Sequence, residues 1–170
     1  TFARKSPAVP APVDVAQAVD SALFLFEPRL RKHSVAVDRQ IAADSWIAWC
    51  DGNRLQQVLV NLIGNAIDAM AGQRERRLSF AVAAAGEDRL ALSVSDTGSG
   101  FSPSALAHLF EPFFTTKQPG EGLGLGLTIS RDILRDFGGD LLAEAAPGGG
   151  ARFVVLLPRP PHPQPEKGTP

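Results

Sequence analysis

The twenty residues from Asp51 to Met70, DGNRLQQVLVNLIGNAIDAM, constrain the fold more than any other stretch. Leu55, Val58, Leu59, Leu62, Ile63, Ala66, Ile67 and Met70 recur at the three-and-four spacing of one apolar helix face, which must be buried against something. Asp51 or Asn53 suits the start of such a helix and Gly72 its end. The opposite side carries Gln57, Asn61, Asn65 and Asp68, at i, i+4, i+8 and i+11. Asparagine is an indifferent helix former because its amide competes for backbone hydrogen bonds. Two of them in mid-helix mark either a solvated face or a row of side-chain oxygens lining a polar site.

The flanking runs supply the rest of the architecture. Val15, Val19, Ala22, Leu23, Phe26 and Leu30 place a second amphipathic helix from Val13 to about Lys32, and Pro28 within it is expected to kink or interrupt it. Ser34–Ile41 alternates as a strand, and Trp46–Cys50 is a shorter one. Arg76–Ala85 and Asp88–Asp96 alternate on either side of Gly86-Glu87, a hairpin pattern. Leu123–Phe137 returns to helical period and stops at Gly138-Gly139; Asp140–Ala146 and Ala151–Pro158 make a closing hairpin around Pro147–Gly150. Three helices and about six strands, mostly hairpin-connected, predict an α+β two-layer sandwich. Its helices lie on one face of a mixed, largely antiparallel sheet whose other face meets solvent. Residues 1–12 read as a linker or the end of a preceding element, 13–158 as the folded domain, and 159–170 as a disordered, proline-rich tail.

Composition narrows the function classes. A net charge of −1 gives no electrostatic footprint for nucleic acid or for an anionic membrane surface. One cysteine, Cys50, excludes an internal disulfide and a cysteine-ligated zinc site; beside Trp49 in an apolar run it reads as a buried structural thiol. No stretch approaches the roughly 18 apolar residues of a membrane span. The chain opens on Thr1 and its one methionine is Met70, so a piece of a longer protein is expected.

Chemistry gathers around a long segment of little regular pattern, Thr97 to about Gly122, framed by two glycine clusters. Asp96–Phe101, DTGSGF, follows a strand directly, and Gly120–Leu127, GEGLGLGL, opens a helix. Glycines at every second position cost roughly 1 kcal/mol each against alanine in a helix. In return they permit close backbone approach, with free N–H groups at a helix N-terminus facing an anion; the plainer alternative is a flexible turn and a capped helix. Neither a Walker-type phosphate loop nor a dinucleotide-binding GxGxxG after a first strand is present. Asp96 continues the apolar alternation Leu90, Leu92, Val94, so its carboxylate is either buried and in need of donors or simply a turn former ahead of Thr97-Gly98.

Five stretches in order then carry a resemblance. NLIGNAIDAM, DTGSGF, FEPFFTTK (Phe110–Lys117), GEGLGLGL and GGGARF resemble the asparagine box, first glycine box, phenylalanine box, and second and third glycine boxes of sensor histidine kinases. The resemblance covers about Val13 to Pro158, and QVLVNLIGNAIDAM and FEPFFTTK resemble the nitrogen-regulation and dicarboxylate-transport sensor subfamily. It implies the Bergerat-type ATP-binding fold shared with DNA gyrase, mismatch-repair ATPases and heat-shock chaperones, with ATP and Mg²⁺ as cofactors. It also implies roles. Asn65 would give its amide oxygen to Mg²⁺, and Asp96 would accept from the adenine amine, with Gly98 and Gly100 letting the base lie against the backbone. Gly122, Gly124 and Gly126, with Leu123 and Leu125 between them, would bring amides to the phosphates. Phe110, Phe113 and Phe114 would anchor the lid, and Lys117 is a candidate phosphate contact beside the plainer reading of a solvated lysine.

Three departures qualify the carry-over. Asp68 stands where some members place a basic, phosphate-facing residue, and Ala151 where many carry a threonine that helps fix the adenine. The phosphoacceptor motif is missing: His33, His108 and His162 all lie outside such a pattern and are read as local. The reading is therefore a protein-histidine kinase catalytic domain that passes the γ-phosphoryl of ATP to a histidine on a separate dimerisation and phosphoacceptor domain of the same protein, with a response-regulator receiver domain downstream. Residues 1–12 would be the end of that preceding domain. The parent would be a homodimer with this domain in the cytoplasm, whether or not the inner membrane anchors the whole; no nucleic acid or membrane contact is expected of this chain. In the hydrolytic cousins a glutamate general base stands one helical turn before the metal-binding asparagine. Here that position is Asn61, whose amide cannot take a proton, which argues against a gyrase-like or chaperone-like ATPase. The alternative is a nucleotide-binding regulatory module with weak or no kinase activity. The segment around Thr115–Gly122 is expected to be mobile.

Overall fold

The computed structural model describes residues 9–42, 45–112 and 126–161. Along them run β1 (Ala11–Asp14), α1 (Val15–Lys32), β2 (Ala36–Gln40), β3 (Ile47–Cys50), α2 (Gly52–Ala69), β4 (Arg77–Ala84), β5 (Arg89–Asp96), α3 (Pro103–His108), α4 (Gly126–Asp136), β6 (Asp140–Ala145) and β7 (Ala151–Pro158). The segment expected to be mobile, and the tail beyond residue 161, lie outside the described residues.

The main sheet has the strand order β2-β4-β5-β7-β6. Its hairpins pair antiparallel, whereas β2 and β4, separated in sequence by β3 and α2, pair parallel. Alternation decides which face is covered. Leu90, Leu92, Val94 and Asp96 on β5, and Ala151, Phe153, Val155 and Leu157 on β7, are buried. Ser93, Ser95, Arg152 and Val154, between them, keep partial exposure on the opposite face. The helices cover one side only, as the sequence pattern predicts.

Helix α2 is the spine of that covering layer. Its cap is Asp51, whose Oδ1 accepts from the Asn53 amide at 2.9 Å and the Arg54 amide at 3.3 Å. Leu55, Val58, Leu59, Leu62 and Ile63 are wholly buried, each contributing about 1.5–3 kcal/mol over an exposed position. α1, capped by Asp14 through the Gln17 amide at 3.2 Å, packs along one flank of α2, and α4 along another. Cys50 is inaccessible, and burial first, then the neighbouring Asp51 charge, pushes its thiol up to about 11, as befits a structural rather than reactive cysteine.

Three features differ from the sequence reading. Pro28 does not interrupt α1, which is helical throughout. The bond its missing N–H forfeits would run to Phe24 one turn earlier, and both residues lie on the exposed side, where water can satisfy the carbonyl. Ala11 and Pro12, read as linker, belong to β1, which pairs antiparallel with β3 in a separate two-stranded sheet, Ala11 opposite Cys50 and Asp14 opposite Ile47. The boundary expected at residue 12 thus falls inside a strand. Proline is tolerated there because a two-stranded ribbon leaves an edge on both sides. Finally, a short helix, α3, stands within the segment read as irregular; Ser102 caps it through the Ala105 amide at 3.0 Å and Pro103 fills its first position.

Candidate nucleotide site

The polar side of α2 is mostly engaged by its neighbours. Asn61 Nδ2 donates to Ser130 Oγ on α4 at 3.2 Å. Asp68 Oδ1 accepts from Arg29 Nη2 on α1 at 3.0 Å, an exposed pair. Asn65, half-buried, stands between them, one turn or about 6 Å along the axis from Asn61. A helix with a uniformly solvated outer face would not show these commitments.

A second group forms where β5 ends. Asp96 is 5 % exposed, and its Oδ1 accepts from the Gly98 amide at 2.8 Å and the Ala151 amide at 3.3 Å. Among the described residues Oδ2 accepts no hydrogen bond, so a buried carboxylate keeps one oxygen for a further donor. Burial pushes this carboxyl above the ordinary carboxylate range, and the two amide bonds oppose that shift. The Ala151 contact is made by backbone, so the threonine absent at that position is not needed for it. Gly150 must be glycine: its φ is +88°, and a Cβ there would collide with the Asp96 carbonyl. A Cβ on Gly98 would sit 2.5 Å from the Ala69 carbonyl at the end of α2, to which the Ser99 amide donates at 3.3 Å. Gly100 lies against Gly150, and Phe101 packs edge-on against Phe153 with ring centres 5.8 Å apart. Thr97 ties the strand end down, donating to the Glu75 carbonyl at 2.8 Å and accepting from the Arg77 amide at 2.9 Å.

The third group is the start of α4. Gly126 lies so close to Asn61 that a Cβ would collide with the amide oxygen. Thr128 Oγ1 donates to the Phe110 carbonyl at 2.9 Å, and the Arg131 guanidinium stands 4.2 Å from the Phe110 ring centre. Phe110 packs against the core from its half-buried position. Phe113, Phe114, Lys117, Gly122, Leu123, Gly124 and Leu125 lie outside the described residues.

Helix α2 acts as a ruler between these groups. The loop after β5 meets it at Ala69 and α4 meets it at Asn61, eight residues or about 12 Å apart, with Asn65 midway. A carboxylate suited to an amino group therefore stands at one end, and the start of α4, whose first amides have no helical partner among the described residues, at the other. That polarity suits a nucleotide lying along the helix. Among the described residues no group of three or more His, Cys, Asp or Glu forms a metal cage. Asn65 offers one hard amide oxygen, which fits a cation that keeps waters and phosphate oxygens as its other ligands.

Two of the three histidines fall among the described residues. His33 caps α1 and its carbonyl accepts from Arg76 Nη1 at 2.7 Å, His108 Nδ1 lies 2.8 Å from Glu111 Oε1, and His162 is outside the described residues. Ser130, Thr97 and Arg29 escaped the sequence reading. Ser130 left a trace, since with Leu127 and Leu134 it shares the inward stripe of α4, a polar residue where an apolar one is expected.

The chain resembles known proteins over most of its length. Residues 50–161 match the family model described as "Histidine kinase-, DNA gyrase B-, and HSP90-like ATPase". The chain is 40% identical over 161 residues to the two-component sensor PprA of Pseudomonas aeruginosa, covering 92% of this chain and 17% of that protein. To the C4-dicarboxylate transport sensor protein DctB of the same organism it is 38% identical, covering 92% of this chain and 26% of DctB. The chain thus spans about a quarter or less of these curated relatives. Full-length ShkA in complex with AMPPNP superposes with a TM-score of 0.77 at 28% identity, over 91% of this chain and 32% of ShkA. Histidine kinase ThkA in complex with response regulator protein TrrA superposes at 0.74 and 25% identity, over 90% of this chain and 42% of that one.

Proposed function

We propose a reaction for this chain from one premise: it belongs to the histidine kinase-, DNA gyrase B-, and HSP90-like ATPase family, and within it is a catalytic ATP-binding domain of sensor-histidine-kinase type. The reaction is transfer of the γ-phosphoryl of ATP to a histidine ring nitrogen on a separate helical domain. The nitrogen bonds to the γ-phosphorus, the bond from that phosphorus to the bridging oxygen breaks, and ADP leaves.

The observation that carries this reading is the Asp96 carboxylate, buried with Oδ1 fixed by two amides and Oδ2 accepting nothing among the described residues. An adenine amino group is the donor it fits, with the base near Gly98 and Gly100. Asn65 would hold Mg²⁺, which supplies charge neutralisation on the phosphates. Gly122, Leu123, Gly124, Leu125 and Gly126 would present backbone to those phosphates; Phe110, Phe113, Phe114 and Lys117 would shape the lid. Asp68, paired with Arg29, is a candidate nucleotide contact at the Ala69 end of α2. Asn61 supports transfer over hydrolysis, since no carboxylate stands there to take a proton from water.

The partners proposed with this reaction are the dimerisation and phosphoacceptor domain of a homodimeric parent, and a response regulator downstream; the complex of ThkA with response regulator protein TrrA supports the second. Among the described residues no helix is long and apolar enough to cross a membrane; a cytoplasmic site of action is part of this proposal. The test is to mix the domain with labelled ATP, Mg²⁺ and a histidine-bearing helical domain of a related sensor kinase. Label on that histidine is expected, with little free phosphate. Rapid phosphate release with no label on the histidine domain would contradict the proposal.

A further inference from the structure

We propose that Asn61 is a positioning residue that seats the first turns of α4 on the polar face of α2 through Ser130. This rests on the ATP-binding reading above and adds a role that reading does not contain. Three observations converge on the one side chain. Its Nδ2 donates to Ser130 Oγ at 3.2 Å, and Ser130 is only 2 % exposed, so the hydroxyl has little access to water if the amide is removed. Gly126, four residues earlier on the same face of α4, lies against the Asn61 amide oxygen with no room for a Cβ. One amide therefore meets the helix at two points a turn apart, which fixes both its height along α2 and its rotation.

The consequence reaches the ligand. The amides of the first turn of α4 have no helical partner among the described residues, and their direction relative to the Asn65 turn is set by this contact. Asparagine suits the position because it is short enough for Gly126 to pass and still presents a donor to the serine. Glutamine would carry the amide one methylene further, into Gly126. On the far side of the same turn, Thr128 and Arg131 fasten α4 to Phe110, so the helix start is held from both sides.

The test compares Asn61→Ala, Ser130→Ala and the double variant for Mg·ADP binding by calorimetry and for adenosine binding by NMR titration. Adenosine reaches the Asp96 end and has no phosphate. Each single variant is expected to weaken Mg·ADP by about 2- to 10-fold, the worth of one hydrogen bond. The double variant should lose no more than the larger single loss, and adenosine affinity should stay unchanged. Gly126→Ala, which favours the helix and displaces Asn61, should show the same selective loss and serves if Asn61→Ala does not fold. Additive losses, equal weakening of adenosine, or normal Mg·ADP binding by Ser130→Ala would each overturn the inference. Failure of the unaltered protein to bind Mg·ADP would remove the ATP-binding reading itself, and this inference with it.

Discussion

Asp96 concentrates the chemistry of the site in a single side chain. Its carboxyl titrates above the ordinary range because it is buried, despite two amides that favour the charged form. Between the ordinary carboxylate value and the raised one, the folded domain without ligand holds a proton that the unfolded chain has released. Asp96's contribution to stability is fully present below the ordinary carboxylate value and is lost as pH rises through the raised one. Asp96→Asn cannot titrate, so the variant should gain in melting temperature relative to the parent as pH rises across that window; a constant difference would contradict the assignment. The same variant should lose much of the preference for ATP over GTP in competition binding, because the carboxylate is what distinguishes an amino group from a carbonyl on the base. Unchanged discrimination would remove Asp96 from adenine reading. At this scale the sequence was legible where a residue broke a pattern: Asp96 on an apolar alternation, Asn61 and Asn65 on a helix. It was illegible where the partner is distant. Nothing near Asn61 announces Ser130, 69 residues later, and nothing near Asp68 announces Arg29, 39 residues earlier.

Among the elements, α2 carries the layer. Leu59 is wholly buried on it, and Leu59→Ala should cost about 2–5 kcal/mol in urea unfolding. Val37 on β2 is 40 % exposed, and Val37→Ala should stay within about 0.5 kcal/mol. Comparable losses at both would contradict a core centred on α2 that thins out toward the β2 edge of the sheet. Periodicity read the long elements well because burial dictates it: the α2 apolar stripe and the β5 and β7 alternations are the core itself. It misjudged elements set by local caps or by distant pairing. The α3 signal was available in Ser102-Pro103, a cap residue followed by proline at the first helical position. β1 and β3 are four residues each, and their pairing links Ala11 to Cys50 across the whole of α1 and β2, which no local pattern encodes. Pro28 misled because its cost depends on exposure, and α1 shows that turn to water.

For the molecule as a whole, the fold places an adenine-suited carboxylate and a helix N-terminus at two ends of one polar helix face, with Asn65 between them. The proposed nucleotide site draws on two kinds of observation: ordered sequence boxes on one side, hydrogen bonds and glycine contacts on the other. The central claim of the proposal is the metal role of Asn65, which stands half-buried on α2 between the Asn61 and Asp68 turns. Calorimetric titration of the domain with ADP, with and without Mg²⁺, for the unaltered protein and for Asn65→Ala, addresses that role directly. Mg²⁺ should tighten ADP binding to the unaltered protein, and Asn65→Ala should abolish most of that gain while leaving metal-free binding nearly intact. Equal losses with and without Mg²⁺ would contradict the account.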